Sequence, residues 1–148
     1  MNPFEQLLKD LGIAMNLDLK PDAHGSCLLD FFNGINIQID MAEDGERILI
    51  GSQVVQLNPG NFREIVFKEA LKHNSVNKIL VGIFAYSSKN DTLILFQYLY
   101  FKNINGQELF NYLQEFATLI TLWREGLNRG QVPQIEESAA SGIFGLKH

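Results

Sequence analysis

A single cysteine, Cys27, occurs among the 148 residues, so no intrachain disulfide can form. That scarcity points to a reducing compartment. Basic residues are the minority, 12 Lys and Arg against 17 Asp and Glu, and the net charge is −5. This balance argues against a nucleic-acid groove, which needs clustered Lys and Arg, and is compatible with solubility or with a basic partner. No run of about 20 apolar residues exists, so nothing is expected to span a membrane. The opening residues, MNPFEQLLKD, carry acids and no long apolar run, and are not read as a signal peptide. Glycine-rich phosphate loops of the GxGxxG and GxxxxGK types are missing, as is Gly-x-Ser-x-Gly.

Candidates for chemistry are equally few. His24, His73 and His148 are the only histidines, and none stands at helical spacing from another His, a Cys or paired carboxylates, so no metal ligand set is legible. His73 reads as a helix C-terminal residue whose ring suits the dipole. Cys27 alternates with Leu29 and Phe31 and has no basic neighbour or helix start, so it reads as a small core hydrophobe and not a nucleophile. Asp40, Glu43 and Asp44 surround a turn, and Asp18 and Asp22 lie in a loop, where acids serve solvation and backbone hydrogen bonding. No catalytic residue, metal site or cofactor is expected.

What the chain does have is apolar patterning. The composition is 46% hydrophobic, with 11 Phe, 4 Tyr and 1 Trp, which places it among globular proteins. A chain of this length buries roughly 70% of its unfolded surface and needs no staple. Phe4, Leu7, Leu8 and Leu11 form one helical stripe, with Pro3 at the first position and Gly12 as the expected stop. Three strands are predicted near 27–32, 35–41 and 47–55, the first two joined by the hairpin signal Asn33-Gly34. Leu57-Asn58-Pro59-Gly60 breaks the chain before a second helix over 62–73. A second hairpin follows over 79–86 and 92–101, and a third helix runs from after Asn105 to Leu127. Asn2, Asn61 and Asn105 each precede a Glu three places on, the pattern of a helix-capping pair.

The expected fold is α+β, in the order α-β-β-β-α-β-β-α, with a largely antiparallel sheet covered by helices on one face. Residues 1–130 form the domain, and 131–148, which lose periodicity, are expected to be a flexible tail. Two features exceed what one copy can hide. Phe62, Ile65, Val66, Phe67, Ala70 and Leu71 spread over more than half of the second helix's wheel, leaving Phe67 and Leu71 in need of another surface. "KILVGIFAY" and "DTLILFQYLYF" are apolar on both strand faces. A second copy is the economical cover, giving a homodimer with Phe67, Leu71, Ile83 and Ile94 at its interface.

In order along the chain stand "LLKDLG" in the first helix, "GSCLLDF", "INIQID" and "RILIG" in strands, "LNP" before the second helix, "EALKHN" at its end, and "FATLITLWREGL" in the last helix. From Phe4 to Leu127 this set resembles the small acidic class I type III secretion chaperones, the CesT- and SycE-like group. Leu57-Asn58-Pro59 departs from that group's Leu-Pro by one inserted residue, and the tail extends beyond its compact fold. The resemblance implies a non-enzymatic cytoplasmic homodimer of a Gram-negative bacterium. Such a protein binds the N-terminal segment of a secreted effector, keeps it non-globular and assists its delivery to the secretion apparatus. The implied partners are secreted effectors and a second copy of the chain or a second chaperone subunit, with no nucleic acid and no membrane insertion. The residues expected to receive the effector are Phe4, Leu8 and Leu11 on the first helix. With them come Leu28, Phe32 and Leu49, on the strand parity opposite Ile35, Ile37 and Ile39. The rival readings are a dimeric adaptor or small-ligand module, and a thioesterase-like α+β enzyme whose acids meet only across a dimer.

Overall fold

The computed structural model describes residues 2–31, 34–76 and 81–134. Helix α1 spans Pro3–Met15. Strands β1 (Ser26–Phe31), β2 (Ile35–Met41) and β3 (Arg47–Gln56) follow, then α2 (Asn61–Val76), β4 (Ile83–Ser87), β5 (Thr92–Tyr100) and α3 (Gly106–Asn128). The order is the expected α-β-β-β-α-β-β-α. All four strand pairings are antiparallel, and the sheet order is β1-β2-β3-β5-β4, which leaves β1 and β4 at the edges. The expected start of β4 at residue 79, together with Phe32 and residues 135–148, lies outside the described residues.

The strands are built on period-two alternation. Ile35, Ile37 and Ile39 of β2 are fully buried, as are Ile48 and Ile50 of β3, while Asn36 and Gln38 between them are exposed. Each such isoleucine contributes about 1.5–3 kcal/mol by leaving water. Cys27 and Leu29 of β1, Leu93 and Leu95 of β5 and Phe84 of β4 complete the inward layer. Phe84 lies between two helices, its ring centroid 4.9 Å from that of His73 on α2 and 4.4 Å from that of Trp123 on α3. Both helices therefore cover the same face. The stripe of α1 (Phe4, Leu7, Leu8, Leu11) joins the same core, beside Leu109, Leu113 and Phe116 of α3.

Two of the three expected caps form. The Asn2 side chain accepts the Glu5 N–H at 2.8 Å. Asn105 accepts the Glu108 N–H at 2.8 Å while Glu108 accepts the Asn105 N–H at 3.0 Å, a complete reciprocal pair. Asn61 instead lies inside α2, because the Glu64 N–H already bonds to the Gly60 carbonyl at 3.3 Å and starts the ladder one residue earlier. Gly12 does not end α1. The helix continues to Met15 and stops on Asn16, which takes the left-handed conformation at φ 60°. Gly12 is needed for another reason: a Cβ there would stand 2.4 Å from the Leu17 carbonyl oxygen, whose residue's N–H bonds back to the Gly12 carbonyl at 2.8 Å. Gly106 serves similarly at the start of α3, where a Cβ would come within 2.5 Å of the Asp10 backbone of α1.

The domain also reaches past residue 130. The Gln131 N–H bonds to the Gly126 carbonyl at 2.8 Å, and Val132 packs against the core, so the first residues of the expected tail belong to the packed unit.

Candidate partner-binding surfaces

Because α2 and α3 both cover one face, the other face of the sheet carries no helix among the described residues. Its polarity is divided. On β1 and β2 it shows Leu28, Asp30, Asn36, Gln38 and Asp40; on β5 it shows Ile94, Phe96, Tyr98 and Tyr100, a file of large apolar and aromatic groups. Leu28 is 66% exposed and Tyr100 51%, values that a side chain packed inside one copy would not reach. The guanidinium of Arg47 stands 4.2 Å from the centroid of the Tyr98 ring, and its Nε donates to the Asp44 carboxylate at 2.6 Å. The Glu46 N–H and the Arg47 side chain together hold the Asp44 carboxyl below the usual aspartate range.

Between the two zones runs β3, with Leu49, Gly51 and Gln53 outward. Gly51 pairs with Gln38 on one side and Phe96 on the other. With no side chain at that point, the face sinks into a depression of about 430 Å³ whose lining includes Leu28, Gln38, Asp40, Leu49, Ile94 and Arg124. Arg124 comes from α3 and reaches round the end of the sheet. Its Nε donates to the Val54 carbonyl at 2.8 Å, Nη2 to Gln53 at 2.7 Å and Nη1 to Gly34 at 3.4 Å.

The two sheet edges differ. At β1, the Ser26 N–H donates to the Asp22 carboxylate at 3.0 Å and the Ser26 carbonyl accepts the Asp22 N–H at 2.7 Å, so the main chain of Ser26 faces away from β2. By the two-residue parity of an antiparallel ladder, the main-chain groups of Leu28 and Asp30 face outward as well. At β4, the outward groups of Phe84 are taken by Asn74 of α2, through bonds of 2.9 Å to both its N–H and its carbonyl.

A second apolar opening lies along the seam of α2 and β4. It holds about 170 Å³ and is lined by Phe67, Ala70, Leu71, Phe84, Ala85 and Tyr86, among others. Leu71 is 66% exposed and Ile65 52%. Phe67 is half-buried, its ring 4.9 Å from that of Tyr86. Tyr86 in turn donates to Asp91 and accepts from Arg63, whose guanidinium lies 3.3 Å from the Asp91 carboxylate. His73 sits deeper in the same region, 6% exposed, with a ring nitrogen 3.3 Å from the Gly82 carbonyl. Burial holds its pKa below the usual histidine value, against a smaller opposing effect of the Gly82 carbonyl.

The expected binding residues therefore separate. Phe4, Leu8 and Leu11 are 2%, 0% and 0% exposed and are spent on the chain's own core, so they offer no surface to a partner; this corrects the expectation for helix one. Leu28 and Leu49 stand on the uncovered face, Leu28 exposed and Leu49 half-buried. Phe32 lies outside the described residues. Phe67 and Leu71 line the α2–β4 seam, whereas Ile94, the outward partner of Gln53, lies in the sheet depression instead. Ile83 takes the outward parity of edge strand β4, opposite Phe96. Sequence reasoning passed over Gly51, Arg47, Tyr98 and Arg124. A glycine inside the strand "RILIGSQVVQ" was the available signal, since such a residue marks a place where something approaches the backbone.

Among the described residues, no group of three or more His, Cys, Asp and Glu side chains is placed to hold a metal ion. Cys27 is buried, which raises its thiol pKa above the ordinary value. No described helix is long and apolar enough to cross a membrane.

This order of elements around a five-stranded antiparallel sheet is shared with solved type III secretion chaperones. A chain of the HopA1–SchA chaperone–effector complex superposes with a TM-score of 0.69 at 17% identity, covering 83% of this chain and 94% of that one. The Yersinia pestis type III secretion chaperone SycH, solved with a stable fragment of YscM2, gives a TM-score of 0.67 at 12% identity, with coverages of 80% and 98%. The ExoT–SpcS complex from Pseudomonas aeruginosa gives 0.63 at 12% identity, with coverages of 82% and 98%. Comparison with curated protein sequences finds no match. Residues 6–124 match the Tir chaperone protein (CesT) family, and the chain belongs to that family. The resemblance drawn from "LLKDLG" through "WREGL" is borne out.

Proposed function

We propose that this chain is a type III secretion chaperone, a non-enzymatic homodimer working in the cytoplasm of a Gram-negative bacterium. It takes the N-terminal segment of a secreted effector and keeps it non-globular until delivery. The observation that carries this reading is the pairing of membership in the CesT family with a sheet face and a sheet edge that the described residues leave open. At β1 the outward main-chain groups of Leu28 and Asp30 accept an added strand, which gives affinity through backbone bonds and places alternate client side chains beside the exposed Leu28. The β4 edge is closed to the same mode at Phe84 by Asn74. A second copy covers the α2–β4 seam around Phe67 and Leu71. A client segment that orders on binding loses conformational entropy, so it must bury a large area, and the bare face supplies that area.

The test is co-purification of the full chain with its bound proteins from the native host. A stable complex formed through the client's first ~100 residues, with that segment lacking a fold of its own, is the expected result. Capture of folded proteins alone would replace the chaperone with an adaptor.

A further inference from the structure

Strand β1 ends the sheet with a short open stretch. Asp22 closes the edge at Ser26. Beyond it, the N–H and C=O groups of Leu28 and Asp30 point away from β2, no described residue bonds to them, and the Leu28 side chain is exposed. Such an edge is a template for any extended segment that can reach it. We propose that in the free chain this edge is occupied by the chain's own residues 143–146, Ile-Phe-Gly-Leu, added antiparallel to β1, and that any other segment must displace them. The occupancy stands apart from the chaperone reading; only the identity of the displacing segment rests on it.

Residues 135–148 lie outside the described residues, and position, length and chemistry join them to this edge. Gln134 is three residues beyond Gln131, whose N–H bonds to the Gly126 carbonyl in the last turn of α3. Two residues before Gly126, Arg124 donates to the Gly34 carbonyl, so this end of α3 stands beside the end of β1 where Phe31 lies. Residues 135–142 can span about 26 Å, more than the ~19 Å across five strands. They are mainly small and polar, with Glu136, Glu137, Ser138 and Ser141 among them, and Ile143, Phe144 and Leu146 follow within four positions. Those four positions match the open length from Phe31 back to Leu28. Phe144 then pairs with Asp30 and Leu146 with Leu28, each exchanging main-chain bonds, and the Leu146 side chain lies against exposed Leu28. Lys147 follows toward the Asp22 carboxylate, which sets direction more than affinity. A four-residue strand is weak on its own, but a tether of this length holds it at an effective concentration of order millimolar.

Amide hydrogen exchange on the full chain, followed residue by residue by nuclear magnetic resonance, tests the occupancy at Leu28 and Asp30. Both amides should exchange about tenfold more slowly in the wild type than in Phe144→Pro, which removes a donor from the added strand. Tenfold protection means an edge free about a tenth of the time, so a displacing segment would bind about tenfold more weakly than to a bare edge. The amides of Cys27 and Leu29 face β2 and should exchange alike in both chains, which shows that the variant is folded. Leu146→Asp, which sets a charge against Leu28, decides the matter should those control amides change in Phe144→Pro. Equal exchange at Leu28 and Asp30 in the wild type and the folded variant overturns the proposal and leaves the chaperone reading standing. Protection that grows with chain concentration would place a second copy's segment at the edge and also overturn it.

Discussion

Asn74 and Phe84 are joined as neighbouring strands would be. The Asn74 amide donates to the Phe84 carbonyl and accepts the Phe84 N–H, each at 2.9 Å. One side chain of α2 thereby ends the hydrogen-bonding capacity of an edge strand at its middle, a device that discourages unwanted pairing.

Removing that amide has two separable effects. Asn74→Ala leaves two partly buried main-chain groups unpaired, which should lower stability by about 1–3 kcal/mol in denaturant titration. It also exposes the β4 edge, so light scattering should report concentration-dependent association beyond the wild-type mass. Loss of stability without any added association would mean that the α2 helix shields this edge by bulk alone.

How far the sequence speaks for itself varies by element. Ile35, Ile37 and Ile39 declare a half-buried strand because their period matches the pleat, and Asn105 with Glu108 declares a helix start because both partners are local. Helix one declares a stripe, but a stripe does not say whether it meets its own sheet or another protein. Phe4, Leu8 and Leu11 answer that only through Leu109, Leu113 and Phe116, which come from the far end of the chain. The Gly51 depression is less legible still. It depends on β3 pairing with β5, which places Phe96 beside Gly51, and on an arginine from α3 closing one end.

Arg124 joins three main-chain carbonyls, those of Val54 and Gln53 on β3 and that of Gly34 just before β2. Arg124→Met keeps the apolar stem and loses the fork, and should destabilise the fold by about 2–4 kcal/mol, since these bonds carry a charged donor. Arg124→Lys should recover less than half of the loss, because one ammonium cannot span the same carbonyls. Full recovery by lysine would show that charge, and not the planar fork, holds this corner.

The proposed dimer seam is best probed at Leu71 rather than Phe67. Leu71 is 66% exposed, so Leu71→Asp costs the single copy little. Phe67 is half-buried against Tyr86, so its loss confounds folding with association. Leu71→Asp should halve the mass seen in light scattering at micromolar concentration and leave the far-ultraviolet circular dichroism unchanged. An unchanged mass would move the interface away from α2.

His73 gives the fold a pH dependence of defined sign. Burial lowers its pKa beneath the ordinary 6.5, so the folded chain favours the neutral ring more than the unfolded chain does. Above the unfolded value both states are neutral and the residue contributes its full stability; as pH falls through the folded value the unfolded state binds the extra proton first and that contribution is lost. The nearby charges do not reverse this. Glu69, one turn earlier on α2, is itself buried and paired with Lys72 at 3.0 Å, and the Phe84 ring that packs on His73 from β4 carries no charge. Denaturant midpoints of the wild type and His73→Gln should therefore differ by a constant amount at and above about pH 7. Between about pH 7 and pH 5 the wild type should decline relative to the variant. Parallel curves across that range would mean that His73 titrates alike in both states and that its burial is not what sets its proton affinity.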